Sequence, residues 1–126
     1  MKLLIVDDEQ EVLEGMRFFF EAQGVHVMTA QGGHEALALV RECRPKLIML
    51  DIKMRGMDGL EILRRVKEFD PGITVVMVTG LSDDGLEEAC VSLGATQVLH
   101  KPVRIEELQE IIDTLYGRGS FQSTRR

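Results

Sequence analysis

The chain has 126 residues, of which 44% are hydrophobic and 29% charged, and its formal net charge is −6. This length fits a single domain with one core. The acidic balance argues against nucleic-acid binding, which needs a basic surface. No apolar run approaches the ~20 residues of a membrane helix, and the run after Met1 is too short for a signal peptide. We therefore expect a cytoplasmic globular domain that binds neither membranes nor nucleic acid directly.

The first half of the chain alternates strand and helix patterns. Residues 2–6 form a continuous apolar run typical of a buried strand, and residues 9–23 carry an apolar stripe at helical spacing. Phe18 lies off that stripe, so its ring should be partly exposed. Residues 25–29 mix polar and apolar side chains, which indicates an edge strand, and a helix over 34–44 follows.

The second half repeats the alternation. Its patterns predict strands at 46–50, 73–78 and 95–99 and helices at 57–69, 83–93 and 104–116. Asp58 can cap the first of these helices, and Ser82 or Asp83 the second. Cys43 and Cys90 fall on apolar helix faces, which predicts buried thiols in a reducing cytoplasm. The last helix should turn its apolar residues inward, namely Ile105, Leu108, Ile111, Ile112 and Leu115.

Five strands that alternate with five helices predict an α/β fold with a parallel sheet covered on both faces. The first, third and fourth strands are apolar throughout and should be central, whereas the second and fifth should be edges. Right-handed crossovers then favour the order 2-1-3-4-5, a doubly wound, flavodoxin-like (βα)5 sheet. Residues 1–117 would form this domain, and residues 118–126 a flexible C-terminal tail.

Polar residues with useful chemistry follow four of the strands. The first and third strands are neighbours where the winding reverses, so Asp7, Asp8 and Asp51 should converge in one crevice. Crowded carboxylates either shift their pKa values or bind a hard cation, and oxygen ligands in an open crevice suit Mg²⁺. Thr79 adds a hydroxyl and Lys101 a mobile positive charge. Together these groups suit phosphoryl transfer to Asp51 as the nucleophile.

The segments at these strand ends resemble the response-regulator receiver domain of two-component signalling. They are Ile5-Val6-Asp7-Asp8-Glu9, Leu50-Asp51-Ile52-Lys53-Met54 with Gly56-Met57-Asp58-Gly59, Val78-Thr79-Gly80, and Lys101-Pro102. The resemblance extends over about residues 2–116. It implies a phosphorelay component in which Asp51 accepts a phosphoryl group from the phosphohistidine of a sensor histidine kinase or a histidine phosphotransfer protein.

The resemblance also implies how the metal would be held. Asp8 and Asp51 would bind Mg²⁺ directly, together with the backbone carbonyl of Lys53. Asp7 would act mainly through a water molecule. Such a domain is a switch with autophosphorylation and autodephosphorylation chemistry, not an enzyme that turns over a metabolite.

Two further residues would contact the phosphoryl group itself. The hydroxyl of Thr79 would bond its oxygens in the active state, Lys101 would pair with them, and the peptide bond before Pro102 would be cis. The signal would pass to an output domain or a target protein. A homodimer through the face formed by residues 83–116 is a further candidate partner.

Three positions depart from the pattern of the family. Arg55 stands where a proline is common, which would alter the stiffness of the loop. Val98 stands where Tyr or Phe is usual, so the aromatic half of the Thr–aromatic switch is missing. Val103 replaces a frequent Phe. The first two changes leave the chemistry intact, but Val98 affects how the signal leaves the domain.

Two other classes of protein compete with this interpretation. A Mg²⁺-dependent phosphatase with an aspartyl nucleophile typically has an acid/base Asp two residues after the nucleophile, where this chain has Lys53. A flavodoxin-like binding module for a nucleotide or flavin needs a glycine-rich phosphate loop after the first strand. This chain has Asp-Asp-Glu-Gln there.

Overall fold

The computed structural model describes residues 2–80 and 84–116. Its elements are β1 Lys2–Val6, α1 Gln10–Ala22, β2 His26–Ala30, α2 Gly33–Cys43, β3 Leu47–Asp51, α3 Gly59–Phe69, β4 Thr74–Thr79, α4 Asp84–Ser92, β5 Gln97–His100 and α5 Ile105–Tyr116. The predicted tail at 118–126 and the candidate caps Ser82 and Asp83 lie outside the described residues. Within the described part of the chain, no helix combines the length and apolar character that crossing a bilayer requires.

The five strands form one parallel sheet in the order β2-β1-β3-β4-β5. The predicted fold class, strand order and edge strands are therefore confirmed. In the register of the sheet, Val6 lies beside Leu50, and Asp51 lies beside Val78. The carboxyl ends of β1, β3 and β4 consequently lie side by side, and we call this the carboxyl edge of the sheet.

Hydrophobic layers cover both faces of the sheet. Alternate strand residues such as Leu4 and Val6 face one layer, which contains buried side chains of α2, α3 and α4. Leu3 and Ile5 face the other layer, which contains buried side chains of α1 and α5. Since both faces are buried, the central strands need an unbroken apolar sequence. The packed layers hold the strand ends in fixed relative positions.

The cap of α3 agrees with the prediction. The Asp58 carboxylate accepts a hydrogen bond from the Glu61 backbone N–H at 3.0 Å, which satisfies one of the free donors at the helix start. Gly24, which ends the predicted first helix, has φ +86°, a left-handed conformation that glycine adopts without strain. Local sequence signals thus fix these two helix ends.

Side-chain burial differs from the prediction at the ends of two helices. Ile105 was expected to face inward, but it is 62% exposed, and Leu115 is also exposed. Both residues follow the apolar period of α5, yet they lie in its first and last turns, where the helix has fewer neighbours to cover them.

Cys43, the last residue of α2, is only half-buried, whereas Cys90 is buried as predicted. Phe18 lies off the apolar stripe and is 79% exposed.

We expect Gly59→Ala to destabilise the fold by roughly 1–3 kcal/mol, the usual cost of overpacking. A Cβ at Gly59 would lie 2.6 Å from the Asp51 carbonyl oxygen and 2.6 Å from the Ile52 Cα, so the backbone would have to shift. Urea unfolding would measure the loss.

Gly15→Ala is the matched control for that measurement. A Cβ at Gly15 meets nothing within 4 Å, and the residue lies inside α1. Alanine there should stabilise the domain by about 0.5–1 kcal/mol. Equal effects of the two substitutions would contradict the close packing at Gly59.

Candidate functional site

Asp51 is the last residue of β3, one residue beyond the predicted strand. Its backbone is fixed on both sides. The Ile52 N–H donates to the Val78 carbonyl at 3.0 Å, and the Gly59 N–H donates to the Ile52 carbonyl at 2.8 Å. The sheet and the start of α3 therefore hold Asp51 in place, and the residue is only 4% exposed.

Three carboxylates meet at this edge of the sheet. Oxygen atoms of Asp7, Asp8 and Asp51 all lie within 4.8 Å of one another. Asp7 is 3% exposed, whereas Asp8 is half-buried. One oxygen of Asp7 accepts the Glu9 backbone N–H at 2.9 Å, which orients this side chain. The structure thus brings together the three residues that the sequence placed in one crevice.

Lys101 lies across the crevice from these carboxylates. Its Nζ is 3.2 Å from Asp51 Oδ2, 3.7 Å from Asp7 Oδ2 and 3.9 Å from Glu9 Oε1. Its backbone N–H donates to the Thr79 carbonyl at 2.8 Å, which connects the end of β4 to the residue after β5. The peptide bond between Lys101 and Pro102 is cis, as the family resemblance implied.

Thr79 and Lys53 complete the set of predicted residues. Thr79 is the last residue of β4 and is buried at the same end of the sheet as Asp51. Lys53 follows Asp51 by two residues, and its backbone N–H donates to the Asp51 carboxylate. The Lys53 side chain is exposed. The main chain of Lys53 therefore lies at the site while its ammonium group belongs to the surface.

Burial and like charge disfavour ionised carboxylates in this crevice. Burial, followed by the charge of Asp7, raises the pKa of Asp51, although Lys101 partly opposes the shift. Burial also raises the pKa of Asp7 above its ordinary value, despite the Glu9 N–H and Lys101. Burial alone would lower the pKa of Lys101, but the charges of Asp51 and Asp7 outweigh it and raise that pKa.

Sequence reasoning missed one contact of the acidic cluster. The Arg55 backbone N–H donates to Asp8 Oδ2 at 3.2 Å, and the Arg55 Nε lies 3.6 Å from the same oxygen. Arg55 had been expected only to change the stiffness of its loop. The sequence did carry a signal for the backbone contact, because any residue other than proline at this position supplies an N–H donor.

A second missed contact connects α4 with β5. His100 Nε2 lies 2.7 Å from Glu87 Oε1, and both side chains are more than half exposed. His100 immediately precedes Lys101. The pair therefore links the end of the strand beside the site to the surface of α4.

Comparison with known proteins identifies the class of domain. A profile described as the response regulator receiver domain matches residues 3–113. Sporulation initiation phosphotransferase F of Bacillus subtilis is 35% identical, over 88% of this chain and 90% of that protein. Transcriptional regulatory protein AfsQ1 of Streptomyces coelicolor is 33% identical, over 97% of this chain and 54% of its own length.

A solved structure of a CheY-like response regulator receiver domain protein from Methanospirillum hungatei superposes with a TM-score of 0.86. It is 31% identical, and the match covers 90% of each chain. The chain therefore belongs to the response regulator receiver domain family, as its motifs indicated. It spans about half the length of the matched transcriptional regulator AfsQ1.

The acidic cluster fits a magnesium ion. Mg²⁺ takes oxygen ligands at about 2.0–2.1 Å in an octahedron, so its ligands lie about 3–4 Å apart. The three carboxylates offer oxygen atoms within 4.8 Å of one another, a span close to this range. The group consists of carboxylates alone, the donor type that suits Mg²⁺ better than the softer metals.

The raised pKa values predict that the metal-free domain loses stability as pH rises from 3.8 through the raised pKa values of Asp7 and Asp51. A carboxyl with a raised pKa binds its proton more tightly in the folded chain than in the unfolded chain. Between the ordinary value of 3.8 and the raised value, ionisation therefore favours unfolding. Urea unfolding in EDTA over a series of pH values that starts at the ordinary carboxyl pKa would show this slope.

Asp7→Asn should flatten that slope and stabilise the metal-free domain at pH 7, because the neutral amide no longer repels Asp51 and no buried charge remains at position 7. The amide oxygen of Asn can still accept the Glu9 N–H. Asp113→Asn in α5 is the control and should leave the slope unchanged. A steeper slope in Asp7→Asn would contradict the crowding of charge in the crevice.

Proposed function

We propose that Asp51 accepts a phosphoryl group from the phosphohistidine of a sensor histidine kinase or a histidine phosphotransfer protein. The supporting observation is a buried Asp51 carboxylate that lies 3.2 Å from Lys101 Nζ and shares its crevice with two more carboxylates. An Asp51 oxygen forms the new bond to phosphorus while the bond from phosphorus to the imidazole nitrogen breaks. The protonated imidazole leaves as neutral histidine, so charge and atoms balance.

The residues of the site divide the work of this transfer. Asp8, Asp51 and the Lys53 backbone carbonyl would hold Mg²⁺ directly, and Asp7 would hold it through water. The ion would offset the negative charge that the carboxylates and the phosphoryl oxygens share. The sheet and Gly59 keep the Asp51 carboxylate in a fixed position for attack, which removes much of the entropy cost of alignment.

Lys101 and Thr79 bind the transferred group. Lys101 already lies within ion-pair distance of Asp51, so a phosphoryl group on Asp51 would place its oxygens within reach of the ammonium. Thr79 supplies a hydroxyl from the end of β4. We assign the domain to residues 1–117 and to the cytoplasm, and its chemistry is limited to gaining and losing the phosphoryl group.

A small acyl phosphate with Mg²⁺ should add one phosphoryl group to the domain. Intact-protein mass spectrometry should show a single adduct that is absent in Asp51→Asn and strongly reduced in EDTA. The physical reason is that Asp51 is the carboxylate closest to Lys101, at 3.2 Å, and lies beside the proposed cation site.

The control for this experiment is Asp113→Asn, which removes a carboxylate from α5 and should keep the full adduct. Lys101→Met should lower the rate of phosphorylation by at least tenfold, because the phosphoryl oxygens lose their positive partner. An adduct of equal yield in Asp51→Asn would overturn the assignment of the phosphoacceptor.

We further propose that phosphorylation changes the conformation mainly of segment 79–85 and α4, and that this change carries the signal to a partner. Val98 in β5 is half-buried and packs against the layer that contains α2, α3 and α4. It is β-branched and has few rotamers, so it cannot swing as a large aromatic ring could. The face formed by residues 83–116, which includes the His100–Glu87 pair, then contacts an output domain, a target protein or a second copy.

Addition of beryllofluoride, a phosphoryl mimic, should shift the amide signals of Gly80 and Gly85 strongly while the Val98 methyl signals show an unchanged rotamer. NMR of the methyl groups and amides would measure both. In Val98→Phe, the new ring should change its χ1 angle on activation. A rotamer change of Val98 without movement of the Gly80 and Gly85 amides would refute this route.

A further inference from the structure

Arg55 makes two contacts with one oxygen of Asp8. Its backbone N–H donates to Asp8 Oδ2 at 3.2 Å, and its Nε lies 3.6 Å from that oxygen. The proline common at this position in the family could make neither contact, because proline has no N–H and no charge. The ion pair is therefore specific to a sequence that carries a cationic side chain here, whereas the backbone contact needs only a residue other than proline.

Lys101 and Arg55, the two cationic side chains at the crevice, contact different carboxylates. Lys101 lies within 4.0 Å of Asp7, Glu9 and Asp51. Across residues 2–80 and 84–116, the ion pair of Asp8 is the one with Arg55. Asp8 thus has its own positive partner, which is separate from the lysine beside the phosphoacceptor.

We propose that Arg55 is a built-in counter-ion that competes with Mg²⁺ for Asp8 and so raises the magnesium concentration at which the site fills. This inference rests on the proposed function, in which Asp8 binds the ion directly. A cation at Asp8 has to share or displace the guanidinium, because both are attracted to the same carboxylate. Arg55 would in this way tune how readily the domain becomes competent for phosphorylation.

The geometry predicts that Arg55 weakens Mg²⁺ binding and does not prevent it. The Arg55 side chain is 90% exposed, so its displacement into solvent removes little packing. Exposed ion pairs are weak and are screened by salt. Loss of the guanidinium should therefore tighten Mg²⁺ binding by about two- to fivefold at low ionic strength. The gain should shrink at 0.5 M salt.

The backbone N–H of Arg55 has a separate effect. It belongs to the loop between β3 and α3, which also contains Lys53, and it holds Asp8 Oδ2 toward that loop. Arg55→Gln keeps this N–H and removes only the guanidinium charge. Arg55→Lys keeps the charge on a shorter, single-point donor. The pair of variants therefore isolates the contribution of the charge.

The test is a Mg²⁺ titration followed by the NMR signals of backbone amides around the crevice, without any phosphodonor. Arg55→Gln should bind Mg²⁺ about two- to fivefold more tightly than the parent, and Arg55→Lys should lie within twofold of the parent. Arg41→Gln is the charge-matched control. Arg41 is exposed in the last turn of α2, near the amino ends of the strands and away from the crevice. Its loss should therefore leave the affinity unchanged within error.

Equal affinity in the parent and Arg55→Gln, or the same gain in Arg41→Gln, would overturn the role of Arg55. If the parent still binds Mg²⁺ and still accepts a phosphoryl group on Asp51, that result leaves the proposed function intact. If the parent and Arg55→Gln both fail to bind Mg²⁺ at tens of millimolar and fail to become phosphorylated, the proposed function fails, and the inference about Arg55 fails with it.

Discussion

The crowding of buried negative charge around Asp51 is the constraint on which the rest of the structure depends. At an effective dielectric of ~20, two like charges about 4 Å apart repel by roughly 4 kcal/mol. A whole domain is stable by only about 5–15 kcal/mol, so such repulsion has to be offset elsewhere. The two packed layers supply the stability, and Lys101 and Arg55 reduce the repulsion at the site itself. The fold holds together groups that would separate if they were free.

Most of the fold was predictable because it depends on short-range patterns. The central strands show as apolar runs, and the helices show as periodic stripes that end at glycine, proline or a cap. The predicted strand order followed from which runs were apolar throughout. The end of β3 shifted by one residue, because the ladder continues until Asp51 pairs with Val78, past the last apolar side chain. A hydrophobic pattern marks burial and not the last hydrogen bond.

The convergence of the candidate site residues was predictable from the sequence, but some of their contacts were not. Residues at the ends of neighbouring parallel strands have to converge, so the positions of Asp7, Asp8 and Asp51 followed from topology. The ion pairs between the Arg55 and Asp8 side chains and between the His100 and Glu87 side chains join residues 47 and 13 positions apart. No local pattern specifies such a pair. The same limit explains Ile105, which follows the apolar period of the helix and yet is 62% exposed.

The close packing at Gly59 has a mechanical consequence. The first residue of α3 lies against the backbone of Asp51 and Ile52 with no room for a methyl group, so α3 and the phosphoacceptor form one stiff unit. On the other side of the sheet edge, the link that runs from β5 to α4 through His100 and Glu87 is made by two exposed side chains, which yield easily. A disturbance at Asp51 is therefore passed directly to the backbone of α3, whereas the exposed pair between β5 and α4 can separate without moving the backbone at Asp51.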